Sequence, residues 1–166
     1  MKVELLVFPK ITDTTIYTAR TTLYRIGWKG KLLDLSRATF YKFEGEFKSI
    51  KDLKNWLSLS NHFINPNKHL YKIVSGFEKH QKYDGWTRII ILYNEILPSL
   101  KCAGIEVYNI MEQEVYFAKW SAIREKDALK SSLLITRSES RESGLLANPH
   151  LQTWQIYSGR ELCILE

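Results

Sequence analysis

Residues Phe63 to Phe77, with the sequence FINPNKHLYKIVSGF, are the stretch that decides the predicted fold. Its dipeptide Asn-Pro is typical of a turn, because asparagine tolerates a left-handed backbone and proline cannot continue a helix. The residues after it alternate between apolar and polar side chains, which indicates a half-buried strand. The stretch therefore predicts the end of one helix, a turn and a new strand.

The same pattern returns near the C-terminus. Four matched pairs lie 83 residues apart, the difference between positions 65 and 148: Asn65 with Asn148, Pro66 with Pro149, Tyr71 with Trp154 and Ile73 with Ile156. A constant offset is typical of a duplicated unit, and a repeat changes how every local motif is interpreted. We therefore predict two copies of one small fold within the chain.

Length and composition are those of a folded protein. The 166 residues suffice for one ordinary domain or two closely packed small ones. An apolar content of 45%, with 13% aromatic residues, is enough for a core. No apolar run reaches the roughly 18 residues of a membrane span, and the N-terminus lacks the basic start of a signal peptide. The sequence predicts a cytoplasmic protein without a membrane partner.

The net charge of +6 is spread along the chain. Acidic residues are interleaved with the basic ones, which is typical of a mixed-charge surface. The excess favours an acidic partner surface or a phosphorylated ligand. Since no motif of a nucleic-acid-binding family is present, the sequence alone does not favour a nucleic-acid partner.

The first half of the chain predicts strand, helix, hairpin, helix and strand. Val3 to Phe8 indicates the first strand. Asp13 is expected to cap a helix that ends at Gly27 in a left-handed conformation. Residues 32–47 indicate a hairpin, and a second helix begins near Ser49. This order is that of the split βαβ, ferredoxin-like fold, an antiparallel sheet with helices on one face.

The second half is expected to repeat this order, so the predicted fold class is α+β with two tandem ferredoxin-like units. The units span residues 1–75 and 69–166 and share a long central strand around residues 69–77. Asp84 takes the place of Asp13 as a helix cap. The helix that Asp84 caps is expected to run from Thr87 to Lys101, and Gly104 is expected to end it.

The rest of the second unit follows the same scheme. A second hairpin is expected over residues 106–120, and a helix from about Arg124. The polar run at residues 138–143 indicates an exposed loop.

No catalytic or metal-binding constellation is visible in the sequence. The four histidines lack the spacing of a metal motif, and the two cysteines are too few for a zinc site and are expected as reduced thiols. Neither a phosphate-binding glycine loop nor a nucleophile motif occurs. We therefore predict no metal, no cofactor and no catalytic site in this chain.

Arg37 is the residue for which a contact with a partner is most strongly expected. An exposed arginine can anchor a carboxylate or a phosphate through its planar group of donors. The other candidates are interpreted first as caps and turns and second as partner contacts: Asp13, Asp84, Gly27, Gly104, Asn65, Pro66, Asn148 and Pro149.

The order of these elements resembles PurS, the small subunit of phosphoribosylformylglycinamidine synthase. The resemblance rests on Asp13, Leu23, Gly27, Arg37, Tyr41 and Asn65-Pro66 in the first unit, and on Asp84-Gly85, Leu100, Gly104 and Leu145-Leu146-Ala147-Asn148-Pro149 in the second. It covers nearly the whole chain as two tandem copies. The chain departs from the family after each aspartate, where Thr14-Thr15-Ile16 and Gly85-Trp86-Thr87 replace Pro-Gln/Glu-Gly.

The resemblance implies a non-catalytic function in de novo purine biosynthesis. Subunits of this family bridge a glutaminase, which makes ammonia from glutamine, and an ATP-dependent synthetase, which uses that ammonia. The implied partners are these two subunits, together with self-association. Two alternatives remain open from the residues: a ligand-binding or regulatory ferredoxin-like module, and a basic nucleic-acid-binding protein.

Overall fold

The structure, a computed structural model, describes residues 1–137, 145–147, 151–160 and 163–164. In this part of the chain eight strands form one sheet, and three helices pack against it. The strands are β1 (Lys2–Pro9), β2 (Leu32–Gly45), β3 (His69–Ser75), β4 (Trp86–Leu97), β5 (Leu100–Cys102), β6 (Ile105–Trp120), β7 (Thr153–Ser158) and β8 (Cys163–Ile164). The helices are α1 (Thr14–Leu23), α2 (Ile50–Ser60) and α3 (Glu125–Thr136). The predicted α+β class is confirmed.

The two longest strands, β2 and β6, pair with each other at the centre of the sheet. The strand order is β7-β4-β6-β2-β1-β3-β8, with the short β5 beside β6, and all of these pairs are antiparallel. Outward from the centre, β2, β1 and β3 follow one another on one side, and β6, β4 and β7 on the other. The two halves of the chain therefore contribute equivalent sets of three strands.

The two expected hairpins are wrong, because each is a single long strand. Residues 32–47 were expected to turn back, but β2 runs without a turn from Leu32 to Gly45 and pairs with β6, with Arg37 opposite Tyr116. Between Leu35 and Thr39 the chain has no glycine, proline, asparagine or aspartate, the residues that a tight turn requires. The hairpin expected at residues 106–120 is likewise the continuous strand β6. β2 and β6 instead pair with each other along their length, across the two halves of the chain.

The helix expected from Thr87 to Lys101 is also wrong. This segment contains β4, whose residues Ile89, Ile90 and Ile91 are all fully buried although they face alternate sides of the sheet. A β-branched run that is buried on both faces is typical of a central strand. Gly104, expected to end that helix, lies with Ala103 in the two-residue turn between β5 and β6, where both residues have positive φ (78° and 49°).

The starts of α1 and α2 are as predicted. Asp13 caps α1 with its Oδ1, which accepts hydrogen bonds from the backbone N–H groups of Thr15 (3.0 Å) and Ile16 (3.2 Å). Ser49 caps α2 in the same way through the N–H of Asp52. A π-helical turn over Tyr24–Trp28 continues α1, and Gly27 within it adopts a φ of 108°. That backbone conformation favours glycine, as expected for this position.

The other end of α2 differs from the prediction. The helix ends at Ser60, followed by Asn61 in the left-handed conformation, so the expected stop at Asn65-Pro66 is wrong. Asn65 instead forms a turn before β3, because its carbonyl oxygen accepts hydrogen bonds from the N–H groups of Lys68 and His69. Asn148, Pro149 and the loop expected at residues 138–143 lie outside the described residues.

The strand expected to be shared by two units does not join them. β3 lies between β1 and β8, and the halves of the sheet meet through β2 and β6. The matched residues of the repeat nevertheless occupy equivalent places. Ile73 of β3 lies opposite Leu5 of β1, and Ile156 of β7 lies opposite Ile89 of β4.

On the face that carries the helices, the core has two parts. Under α2, residues Leu53, Trp56 and Leu57 pack against β1, β2 and the aromatic ring of Phe63. Under α1 and α3, residues including Leu23 pack against β2, β4 and β6. None of the helices in the described part of the chain is long and apolar enough to cross a membrane.

On the opposite face, the connection between β3 and β4 takes the place of a helix. Residues 76–85, which we call the strap, run across the sheet and insert the fully buried Phe77 against Phe40 (ring centroids 4.4 Å apart) and Phe117. The N–H of Phe77 donates to Glu4 Oε2, and Ser158 Oγ donates to the carbonyl oxygen of Gln81. The strap thus covers part of a face that would otherwise be open.

Arg88 of β4 is the main anchor of the strap. Its side chain is fully buried and donates hydrogen bonds to the carbonyl oxygens of Phe77, Lys79 and Ser158. Its guanidinium also lies over the rings of Phe77 and Tyr157, 5.2 and 5.6 Å from their centroids. Burial lowers the pKa of Arg88 below its ordinary value. The backbone carbonyls and aromatic rings thus hold this buried cation where no carboxylate contacts it within the described residues.

Candidate functional site

A cleft of about 300 Å³ lies on the helix face of the sheet, between the start of α1 and the loop that follows α2. Threonine, charged and aromatic side chains contribute to its walls. Among them are Asp13, Thr15, Arg37, Tyr41, Phe63 and His69. A concave site with a few converging polar groups is the usual form of a binding site.

Arg37 lines the cleft and joins three elements. Its Nε donates to Asp13 Oδ2 at the start of α1, and its Nη1 donates to Glu114 Oε1 on β6, both over 2.9 Å. The Arg37 side chain is 28% exposed and the Asp13 side chain 12%. Burial opposes the charge of Arg37, but Asp13 and then Glu114 outweigh it and raise the Arg37 pKa. Arg37 is thus a fixed, permanently charged group in the wall of the cleft.

Glu114 extends this ion pair into a polar network across the sheet. Its Oε2 accepts a hydrogen bond from the hydroxyl of Tyr116 over 3.2 Å, and the hydroxyl of Tyr93 on β4 also interacts with its carboxylate. Glu112 lies two residues before Glu114 on the same face of β6. Burial, followed by the charge of Glu114, raises the pKa of Glu112. The strip from Asp13 to Glu112 therefore carries three carboxylates and one guanidinium.

His69 is oriented on the other side of the cleft by the turn before β3. Its Nδ1 accepts a hydrogen bond from the backbone N–H of Asn65 over 3.2 Å, and Asn65 Oδ1 accepts one from the N–H of Asn67. The Nδ1 atom of His69 is therefore the unprotonated nitrogen of the ring in this arrangement. The predicted turn-former Asn65 thus acts on the site through His69.

The tyrosines of the site share a raised pKa. Burial, followed by the charge of Glu112, raises the pKa of Tyr41 to about 12. Burial, followed by Glu114, raises that of Tyr93 to about 12 and raises that of Tyr116 as well. All three side chains are therefore neutral hydrogen-bonding groups at physiological pH.

We expect the free energy of unfolding to fall as the pH rises from 10 to about 12. In this range the unfolded chain loses its tyrosine protons while the folded protein keeps them, so ionisation favours the unfolded state. The variant Tyr41→Phe should show a shallower fall, measured by urea denaturation at a series of pH values. Tyr17→Phe, which removes a tyrosine that is 60% exposed, is the control. An equal fall in both variants would contradict the assignment to Tyr41.

No family model, curated protein or solved structure is similar enough to this chain to count as a match. The site must therefore be interpreted from its own geometry. Within the described residues, no group of three or more metal-ligating side chains comes together.

The structure brings together two of the residues singled out from the sequence, Asp13 and Arg37. Arg37 lies in the middle of the sheet on β2, whereas the sequence placed it on a hairpin. Asp84, expected to cap a helix, precedes β4 and accepts hydrogen bonds from the N–H groups of Trp86 and Arg160. Gly27, Gly104 and Pro66 are not among the residues that line the cleft.

Glu114, Tyr116 and Tyr93 were not among the residues singled out from the sequence. They lie in β6 and β4, which were expected as a hairpin and a helix, so their side chains were not placed on one face. The alternation of Glu112, Glu114 and Tyr116 along a single strand was the available signal.

Proposed function

We propose that this protein is a non-catalytic assembly subunit and that it contacts its partners around the central cleft. The single observation that carries the proposal is the bridge from Asp13 through Arg37 to Glu114. It holds an arginine in a fixed orientation in an open cleft, where a fixed donor group suits recognition of a polar surface. The partners follow from the sequence resemblance: the glutaminase and the ATP-dependent synthetase of phosphoribosylformylglycinamidine synthase.

Two features support this version of the function. Asp13 and Arg37, which both belong to the residues of the resemblance, contact each other directly. The equivalent arrangement of β2-β1-β3 and β6-β4-β7 also supports a tandem origin, in which one chain supplies the two units that family members supply as separate copies. A covalent pair avoids the several kcal/mol that association of separate copies costs.

The test is a pull-down from the native cell extract in ATP, magnesium and glutamine, with this chain as bait. We expect recovery of both the glutaminase and the synthetase. The variant Arg37→Ala should lose them, because its cleft no longer presents a guanidinium. Arg20→Ala, which breaks the Arg20–Asp34 pair between α1 and β2, is the matched control and should retain both.

Recovery of neither partner by the unchanged protein would overturn the proposal. If Arg37→Ala recovers both partners as well as the unchanged protein does, the two partners would stand, but the cleft would not be part of the interface.

A ligand-binding module is the second candidate, and the volume of the cleft favours it. About 300 Å³ is at the lower end of the range for sites that take small molecules. A metabolite that binds only the folded protein would add about 2.7 kcal/mol of stability at 100 times its Kd, and it would thereby raise the melting temperature. A thermal-shift screen on the isolated chain tests this, and an effect that persists in Arg37→Ala would contradict a site in the cleft.

A further inference from the structure

The face opposite the cleft carries a second surface, which consists of aromatic rings and cations. We call it the platform and define it by Phe8, Trp86, Phe117, Lys72, Lys119 and Arg160. Phe8 and Trp86 are half-buried, Phe117 lies buried beneath them, and the three cations are exposed. The strap covers the adjoining part of this face around Phe77, and the platform lies beside it.

Two rings of the platform, Phe8 and Phe117, contact each other, and Arg160 links Trp86 to Phe117. Phe8 stacks on Phe117, with centroids 6.0 Å apart and planes inclined by 28°. The guanidinium of Arg160 lies 4.1 Å from the ring centroid of Trp86 and 5.9 Å from that of Phe117. One arginine thus bridges the rings of β4 and β6, and β1 adds the ring of Phe8.

The cations are placed at the rings rather than among carboxylates. Lys119 Nζ lies 5.7 Å from the Trp86 ring, and Lys72 Nζ lies 6.0 Å from the Phe8 ring. Within the described residues, none of the three cations forms an ion pair with a carboxylate, and Asp84 accepts hydrogen bonds from the backbone N–H groups of Trp86 and Arg160. The three charges are therefore available to an external anion.

We propose that the platform binds single-stranded nucleic acid. A sheet face with rings that can stack on bases, and with cations a few ångströms away that can meet phosphates, is the arrangement by which proteins hold single strands without reading sequence. A base would take the place of the Arg160 guanidinium on Trp86, and the freed guanidinium would meet the adjacent phosphate. The net charge of +6 adds attraction over a longer range.

Single-stranded nucleic acid fits this surface better than a duplex does. On this face the described chain presents a sheet and the strap, and no helix that could enter a groove. Stacking of the rings on bases also requires bases that are unpaired. The inference does not depend on the proposed function, because the cleft lies on the other face of the sheet.

The experiment measures fluorescence anisotropy of labelled (dT)12 and (rU)12 with the full chain at several salt concentrations. We expect Kd values on the order of 1 to 100 µM at low salt, with affinity falling steeply as salt rises. The double variant Lys119→Glu/Arg160→Glu should bind at least about tenfold more weakly. Its slope of log K against log salt should be shallower by about 1.4, which is about 0.7 for each lost phosphate contact.

The control has the same change in net charge on the other face of the sheet. Lys51→Glu/Lys54→Glu alters two exposed lysines of α2 and should weaken binding far less. Phe8→Ala and Trp86→Ala, each checked for folding by circular dichroism, should each weaken binding about tenfold through lost stacking.

Three results would overturn the proposal. One is an equal loss in the control, which would show attraction by net charge alone. Another is equal binding of inorganic polyphosphate, which offers no bases to the rings. The third is the absence of oligonucleotide binding together with binding of vesicles that contain anionic lipid.

Discussion

The variant Trp56→Ala should lose about 3 to 5 kcal/mol of unfolding free energy, the range for removal of a fully buried aromatic side chain. Trp56 is 1% exposed on α2 and packs among Phe43, Phe47 and Phe63, with ring centroids 5.7 to 6.2 Å away. Its Nε1 also donates to the carbonyl oxygen of Cys102 over 3.1 Å. The substitution therefore leaves a cavity and an unpaired carbonyl at the contact between α2 and β5.

Urea denaturation followed by circular dichroism measures this loss. Leu59→Ala is the matched control, because Leu59 lies on the same helix and is 62% exposed. It should change stability by less than about 0.5 kcal/mol. A loss below about 1 kcal/mol for Trp56→Ala would contradict the packing described here.

The variant Arg88→Met should lose about 3 to 5 kcal/mol, for a different reason. Methionine fills much of the space, but it leaves the carbonyl oxygens of Phe77, Lys79 and Ser158 without their donor. Buried carbonyls without a partner cost about 1 to 3 kcal/mol each, and removal of the buried cation returns part of that cost. The loss should be concentrated in the strap.

Hydrogen exchange distinguishes this local effect from general destabilisation. In Arg88→Met the amides of residues 77–82 should exchange faster than those of β2 and β6, relative to the unchanged protein. Arg25→Ala, which alters an exposed arginine beyond α1, should change neither stability nor exchange. Uniformly faster exchange across the sheet would show that Arg88 does not act through the strap.

The helix starts could be predicted because capping is a local property. The side chains of Asp13 and Ser49 accept hydrogen bonds from N–H groups only two or three residues away, so the sequence contains the whole interaction. The strand lengths could not be predicted in this way. β2 spans Leu32–Gly45, and it is stabilised along its length by β6, whose distance in sequence leaves no local trace.

The error at β4 has a related cause. Its run of isoleucines is compatible with a helix face when only the spacing of apolar residues is considered. The β-branched side chains and burial on both sides favour a strand, and a short apolar run cannot be assigned from its periodicity alone.

The candidate site was predictable only in its first half. Asp13 and Arg37 lie 24 residues apart and were both singled out, whereas Glu114 lies 77 residues from Arg37 and reaches it through the pairing of β2 with β6. The platform is still more dispersed, with Phe8 and Arg160 at opposite ends of the chain. Acidic residues interleaved with the basic ones conceal its positive charge in the sequence.

The pairing of β2 with β6 also has a consequence for synthesis of the chain on the ribosome. β2 is complete at position 45 and β6 only at position 120, 75 residues later. At about 5 to 20 residues per second, β2 waits roughly 4 to 15 s for its central partner. During that time one long edge of the nascent strand has no neighbour, and such an edge pairs readily with other chains. The number of residues between β2 and β6 thus sets how long each newly made chain is exposed to aggregation.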